Sequence, residues 1–220
     1  MVSRVLLTGA SATVLLAART TLRNWGATKA ESHAILPGDE FVPEPAEVIT
    51  RAVTVAAPVD EVWRWLVQIG QNRGGMYSYE GLENALGLDI HNADEIRPEW
   101  QQLAVGDEVR LVRHGWLGLA DGLALTVGRV EPGRFIVLLE EPWHAVWSFH
   151  IRPHGSGRCR LISRSRSPRA HGAAWLAGEL MDPITLLMTR KMLLGIKERA
   201  ERSARADAPE PITTASAKQG

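Results

Sequence analysis

Arg73, Tyr77, Tyr79, Glu83, His91, Asn92 and Asp94 all fall within one stretch, Gln71 to Trp100, which reads QNRGGMYSYEGLENALGLDIHNADEIRPEW. Polar and aromatic groups this dense in a connecting segment point to a site more directly than apolar residues do. Their types suit acid–base work. His91 would move a proton near neutral pH, Asp94 or Glu83 would orient it or stabilise its charge, and Tyr77 or Arg73 would polarise a substrate oxygen. The same residues also read as a polar rim, since Tyr77, Tyr79, His91 and Asn92 each offer one or two directed hydrogen bonds to a bound molecule. A third reading is structural, with His91 fixing the loop and Arg73 paired to Glu83 or Asp94.

Other chemistries find less support. His91, Asp94 and Glu95 carry donor atoms a metal accepts, and His144, His150 and His154 follow, but no HExxH or equivalent spacing is present, so no metal is expected. GMYSYEG and GWLGLADG lack the strand and helix context of a phosphate-binding loop, and no cofactor is expected. Cys159 is the single cysteine, which rules out an intrachain disulfide and suits a reducing, cytoplasmic compartment. Lys plus Arg and Asp plus Glu balance at 25 each, so the basic excess that nucleic-acid binding draws on is missing. Hydrophobic residues at 45% and charged residues at 23% of 220 describe a globular chain with a sizeable core.

The elements that must hold the Gln71–Trp100 stretch are legible on either side of it. Val48 to Val55 alternates as a strand. Pro58 then opens a helix in which Val59, Val62, Trp63, Leu66 and Val67 form one apolar face, and Gly70 ends it. Within the stretch, Ser78 to Leu86 suits a short helix capped by Ser78 and closed by Gly87. Strands follow at Glu108 to Val112, Leu123 to Val130, Arg134 to Glu140, Ala145 to Pro153 and Arg158 to Ser167, with short Gly or Pro-Gly turns that imply an antiparallel meander. In the last strand Arg158, Arg160, Arg164 and Arg166 share a face, read as a solvated outer row, while Cys159, Leu161, Ser163 and Ser165 share the other. Ala173 to Met181 reads as one helix, and Asp182 with Pro183 as the cap and first position of a second. Ile184, Leu186, Leu187, Met188, Met192, Leu193, Leu194 and Ile196 make that second helix apolar nearly all round, so protein or a cavity should surround it.

Strand, VDEVWRWL helix, long meander and terminal apolar helix together resemble the START-like (SRPBCC) superfamily, which includes polyketide cyclase/dehydrase-like proteins. RGGMYSYEGLEN, IHNADEI, PEWQ, VGD, the arm LRNWGAT with LPGDE, and KMLLGIKERAE are similar to a bacterial branch of it. The resemblance covers about Ile49 to Arg205. It implies an α+β helix-grip fold: a curved antiparallel sheet wrapped around a long C-terminal helix, with an apolar cavity between them. Trp147, Phe149 and Ile151 from one strand, with Leu187, Met188 and Met192 from the helix, would form the walls. The leading expectation is binding of a small hydrophobic or aromatic, lipid- or polyketide-like ligand. The alternatives are an acid–base enzyme of polyketide cyclase/dehydrase type and a membrane-tethered interaction domain.

The termini frame a domain at residues 48–205. Residues 1–23 hold an uncharged run over 5–18 that is shorter than the roughly 20 residues a bilayer needs. It suits a signal-peptide core, a shortened anchor or a peripheral helix, and gives a possible membrane contact. Residues 24–47, with Pro37, Pro43 and Pro45, read as an extended arm that wraps the domain through Trp25, Ile35, Leu36, Phe41 and Val42. Residues 206–220 read as a disordered tail.

Overall fold

A computed structural model describes residues 20–141 and 145–207. The run at 5–18, His144 and the tail beyond residue 207 lie outside the described residues. Six strands form one antiparallel sheet in the order β1-β6-β5-β4-β3-β2. They are β1 (Glu47–Val55), β2 (Glu108–Val112), β3 (Leu123–Glu131), β4 (Phe135–Glu140), β5 (Ala145–Pro153) and β6 (Cys159–Ser167). The meander from β2 to β6 brings the last strand back beside the first, with Arg51 opposite Ser163 and Ile49 opposite Ser165. Register shifts between Arg110 and Val112 and between Val127 and Arg129 bend the strands at that edge. At Gly128 a Cβ would lie 2.6 Å from Leu139 Cδ1, so a side chain there would have to displace Leu139.

Helices α1 (Lys29–His33), α2 (Val59–Val67), α3 (Glu80–Ala85) and α4 (Gly172–Ala206) accompany the sheet. α2 and the second half of α4 press onto the inner face of the sheet. Val62, Trp65 and Leu66 meet Leu193, Ile196 and Ala200 over Ile136, Leu138, Phe149 and Leu161, all buried. Cys159 joins this cluster, where burial pushes its thiol up to about 11 and leaves it unreactive. A curved sheet gripping a C-terminal helix is the α+β helix-grip arrangement that the sequence suggests. No helix among the described residues is long and apolar enough to cross a membrane.

Four sequence expectations need correction. First, α4 is one continuous helix with Pro183 inside it. Asp182 does not cap a new start; its carboxylate accepts a bond from Arg23 Nε at 2.9 Å. Second, the arm is not extended throughout. Thr28 and Glu31 form a reciprocal capping box that starts α1, and a 3-10 turn spans Asp39–Phe41. Third, only Arg158 of the arginine row is solvated, and Arg160, Arg164 and Arg166 are covered. Arg164 donates to the Ala34, Glu31 and Ser32 carbonyls and to Asp39, Arg160 pairs with Glu31, and Arg166 donates to the Val42 carbonyl. The row clamps the arm across the outer face of the sheet, where Leu36 packs on Ala52 and Ile162, and Val42 on Phe135, Val137 and Val146. Fourth, Ser78 does not cap α3; Tyr79 holds that position, and the Ser78 hydroxyl turns to Glu83.

Candidate functional site

The core does not fill the space under the first half of α4. A cavity of about 470 Å³ remains between that half of the helix, the inner face of the sheet and part of the Gln71–Trp100 stretch. The period of two aims Ile49 and Arg51 of β1, Trp147 of β5, and Ser163 and Ser165 of β6 into it, while Leu123 and Leu125 of β3 and Glu140 of β4 close the far side. Ile184, Thr185, Met188, Thr189 and Met192 come from α4. Met76, Ser78, Glu83, Leu88 and Ile90 come from the Gln71–Trp100 stretch, which thus forms one wall.

That wall is held by Tyr77, whose backbone takes a positive φ of 52° and whose side chain is buried. Its hydroxyl accepts from Gln68 Nε2 at 2.9 Å, its ring meets Trp65 edge-on, and the Arg199 guanidinium lies 4.9 Å from the ring centre. Burial pushes the phenol up to about 12, against the Gln68 bond and the charges of Arg199 and Arg73, so it stays protonated. A Cβ on Gly195 would lie 2.2 Å from the Tyr77 carbonyl oxygen, so glycine alone lets α4 approach this closely. Gly75 serves similarly beneath residues 91 and 92, where a Cβ would meet Asn92 Oδ1 at 2.6 Å.

Four of the residues singled out in the sequence border the cavity: Glu83, Trp147, Met188 and Met192. The others have different surroundings. Phe149 is wholly buried beside Trp147, at 4.7 Å between ring centres, in the packed core. Leu187 is half exposed on the outer side of α4, because the helix shows its apolar residues to solvent as well as to the cavity. Asn92 Oδ1 accepts the Tyr77 backbone N–H, and Tyr79 is partly exposed. Arg73 donates to the Trp100 carbonyl at 2.7 Å and pairs with neither Glu83 nor Asp94; Asp94 instead meets Arg199 at 3.0 Å. His91 is exposed outside the cavity, 3.4 Å from Glu80 and 3.3 Å from Asp89, in a small surface depression with Asn84, Gly87 and Arg113. The expected acid–base constellation is therefore not brought together. Among the described residues no group of three or more His, Cys, Asp or Glu is placed to hold a metal.

Beside Glu83, polar groups that were not singled out line the cavity: Arg51, Glu140 and Ser163. Arg51 is 3% exposed. Its Nη1 donates to the Thr185 carbonyl at 3.2 Å, while Nε and Nη2 have no partner among the described residues. Burial lowers its pKa, with Asp182 acting in the opposite direction. Glu83 is 1% exposed; Oε1 accepts the Ser78 hydroxyl at 2.7 Å and Oε2 is unpartnered. Burial raises the pKa of both Glu83 and Glu140. The Ser163 hydroxyl accepts the Trp147 indole N–H at 2.9 Å. One signal for Arg51 was in the sequence, since the alternation over Val48 to Val55 puts it on the face of Ile49, Val53 and Val55.

No protein-family model matches the chain, and no curated protein matches it. Solved structures do. A protein from Thermobifida fusca is 16% identical over 70% of this chain and 93% of its own, with a TM-score of 0.46. A Mesorhizobium loti protein is 17% identical over 71% and 98%, with a TM-score of 0.41. The Zhui aromatase/cyclase from a Streptomyces species is 20% identical over 73% and 96%, with a TM-score of 0.41. The strand order and the gripped helix decide the fold. It is an α+β helix-grip fold. In the helix-grip arrangement described here, the space between sheet and terminal helix is the cavity itself.

Proposed function

We propose that this helix-grip domain binds a small, largely apolar molecule in the cavity under the first half of α4. The observation that carries this reading is the half-open cavity of about 470 Å³, walled mainly by aliphatic, thioether and indole side chains with a few polar groups set among them. Small-molecule pockets of roughly 300 to 1,000 Å³ have this composition. Aliphatic and thioether walls adapt to a flexible apolar body, and Trp147 offers an aromatic face.

Of the five acid–base candidates, only Glu83 borders the cavity. No second member of that set is there to complete a proton relay, so binding is the better-supported function. The test is a titration with the neutral reporter N-phenyl-naphthylamine, which brightens in apolar surroundings. Saturable brightening at one equivalent is expected, and Met188→Trp, which fills the cavity, should abolish it. A linear, unsaturable response, or one the Trp variant leaves unchanged, would refute the reading.

A further inference from the structure

Arg51 is the least expected group in this cavity. Burying a guanidinium is expensive unless it is paired, and two of its three nitrogens have no partner among the described residues. Nε and Nη2 form one edge of the planar fork, the geometry that receives both oxygens of an oxyanion side by side. The carboxylates whose charge reaches Arg51 are Asp182 and Glu47, and both are engaged by Arg23. Glu83 and Glu140 also line the cavity, but neither makes a hydrogen bond or ion pair with Arg51.

The Nε–Nη2 edge of Arg51 is therefore a charged donor pair that no protein acceptor fills among the described residues. Directly across the sheet register from Arg51 is Ser163. Its oxygen already accepts the Trp147 indole, which leaves its hydroxyl hydrogen to donate. We propose that the occupant is an amphipathic organic acid, with its carboxylate on the Nε–Nη2 edge of Arg51 and the Ser163 hydroxyl, and its apolar body along Trp147, Met188 and Met192. The Nε–Nη2 edge presents two parallel donors, which fit the two coplanar oxygens of one carboxylate. This assignment rests on the ligand-binding reading above and adds the chemical class.

The test displaces N-phenyl-naphthylamine from the full-length protein with dodecanoic acid and, separately, with dodecanol at neutral pH. The acid should compete at a concentration at least about tenfold lower than the alcohol, in line with a charge-assisted hydrogen-bonded pair. In Arg51→Met, which replaces the buried charge with an apolar chain of similar length, the reporter should still bind while the preference for the acid disappears. Arg51→Lys, which keeps the charge but loses the fork, should fall between. An acid that competes no better than the alcohol in the wild type, or a preference that survives in Arg51→Met, overturns the anionic assignment and leaves the cavity reading standing. A wild-type protein that does not bind the reporter overturns both.

Discussion

Glu83 shows how burial changes what a carboxyl group does. It is almost wholly covered, bonded to Ser78 on one oxygen and without a partner among the described residues on the other, and burial shifts its pKa above the ordinary 4.5. A raised pKa means the native state holds its proton more tightly than the unfolded chain, so this group's contribution to stability declines as pH rises from about 4.5 through the native value. Glu83→Gln keeps an acceptor for Ser78 and removes the ionisation. Chemical denaturation should show this variant at least as stable as wild type at neutral pH; a clear loss there would contradict the account. Glu83→Leu leaves the Ser78 hydroxyl only the Met188 sulfur at 3.5 Å and should cost about 1 to 3 kcal/mol. The residue types of the Gln71–Trp100 stretch were legible, but their directions were not. Tyr77 turns into the core and His91 out to solvent because positive φ values at Tyr77 and Asp89 redirect the chain, and spacing carries no sign of that. Arg51 was missed for the opposite reason: a lone charge in a strand draws no attention unless the face it shares is followed.

Strands and helices were far easier to read than what covers them. β2 and β5 fall where alternation and turn residues put them, because a sheet with one face on a core imposes a period of two. The same period grouped the β6 arginines correctly, but it could not say that the arm lies over them. Asp182-Pro183 is a sound local signal for a helix start. It is overridden because α4 is tied down on both sides of it, by Arg23 on Asp182 and by Arg51 on the Thr185 carbonyl. The arm depends most on Asp39, whose Oδ2 receives Arg164 at 3.0 Å in a site where both side chains are buried. Asp39→Ala would leave a buried guanidinium with only backbone partners, and loss of one member of a buried pair costs about 3 to 5 kcal/mol. The expected result is a lower denaturation midpoint together with early proteolytic cleavage between residues 24 and 47. An unchanged cleavage pattern would show that the apolar contacts of Leu36 and Val42 hold the arm unaided.

For the molecule as a whole, covering both faces of the sheet sets its response to acid. His150 lies on the outer face of β5, 3% exposed, with Phe135 beside it and the Ser148 hydroxyl 3.0 Å from Nε2. Burial, reinforced by the charges of Arg152 and Arg164, lowers its pKa from 6.5 to about 3. Below the unfolded value the denatured chain takes up a proton that the native protein refuses, so stability is complete above about pH 6.5 and erodes as pH falls toward about 3. With a slope of about 1.4 kcal/mol per pH unit, the loss from this one group between about pH 7.5 and about pH 5 is about 2 kcal/mol. His150→Gln retains a hydrogen-bonding partner for Ser148 and does not titrate. Urea denaturation at the two pH values should find wild type losing about 2 kcal/mol more than the Gln variant. Equal losses would mean that acid reaches the fold elsewhere, through the exposed carboxylates, and that the arm does not seal His150 from solvent.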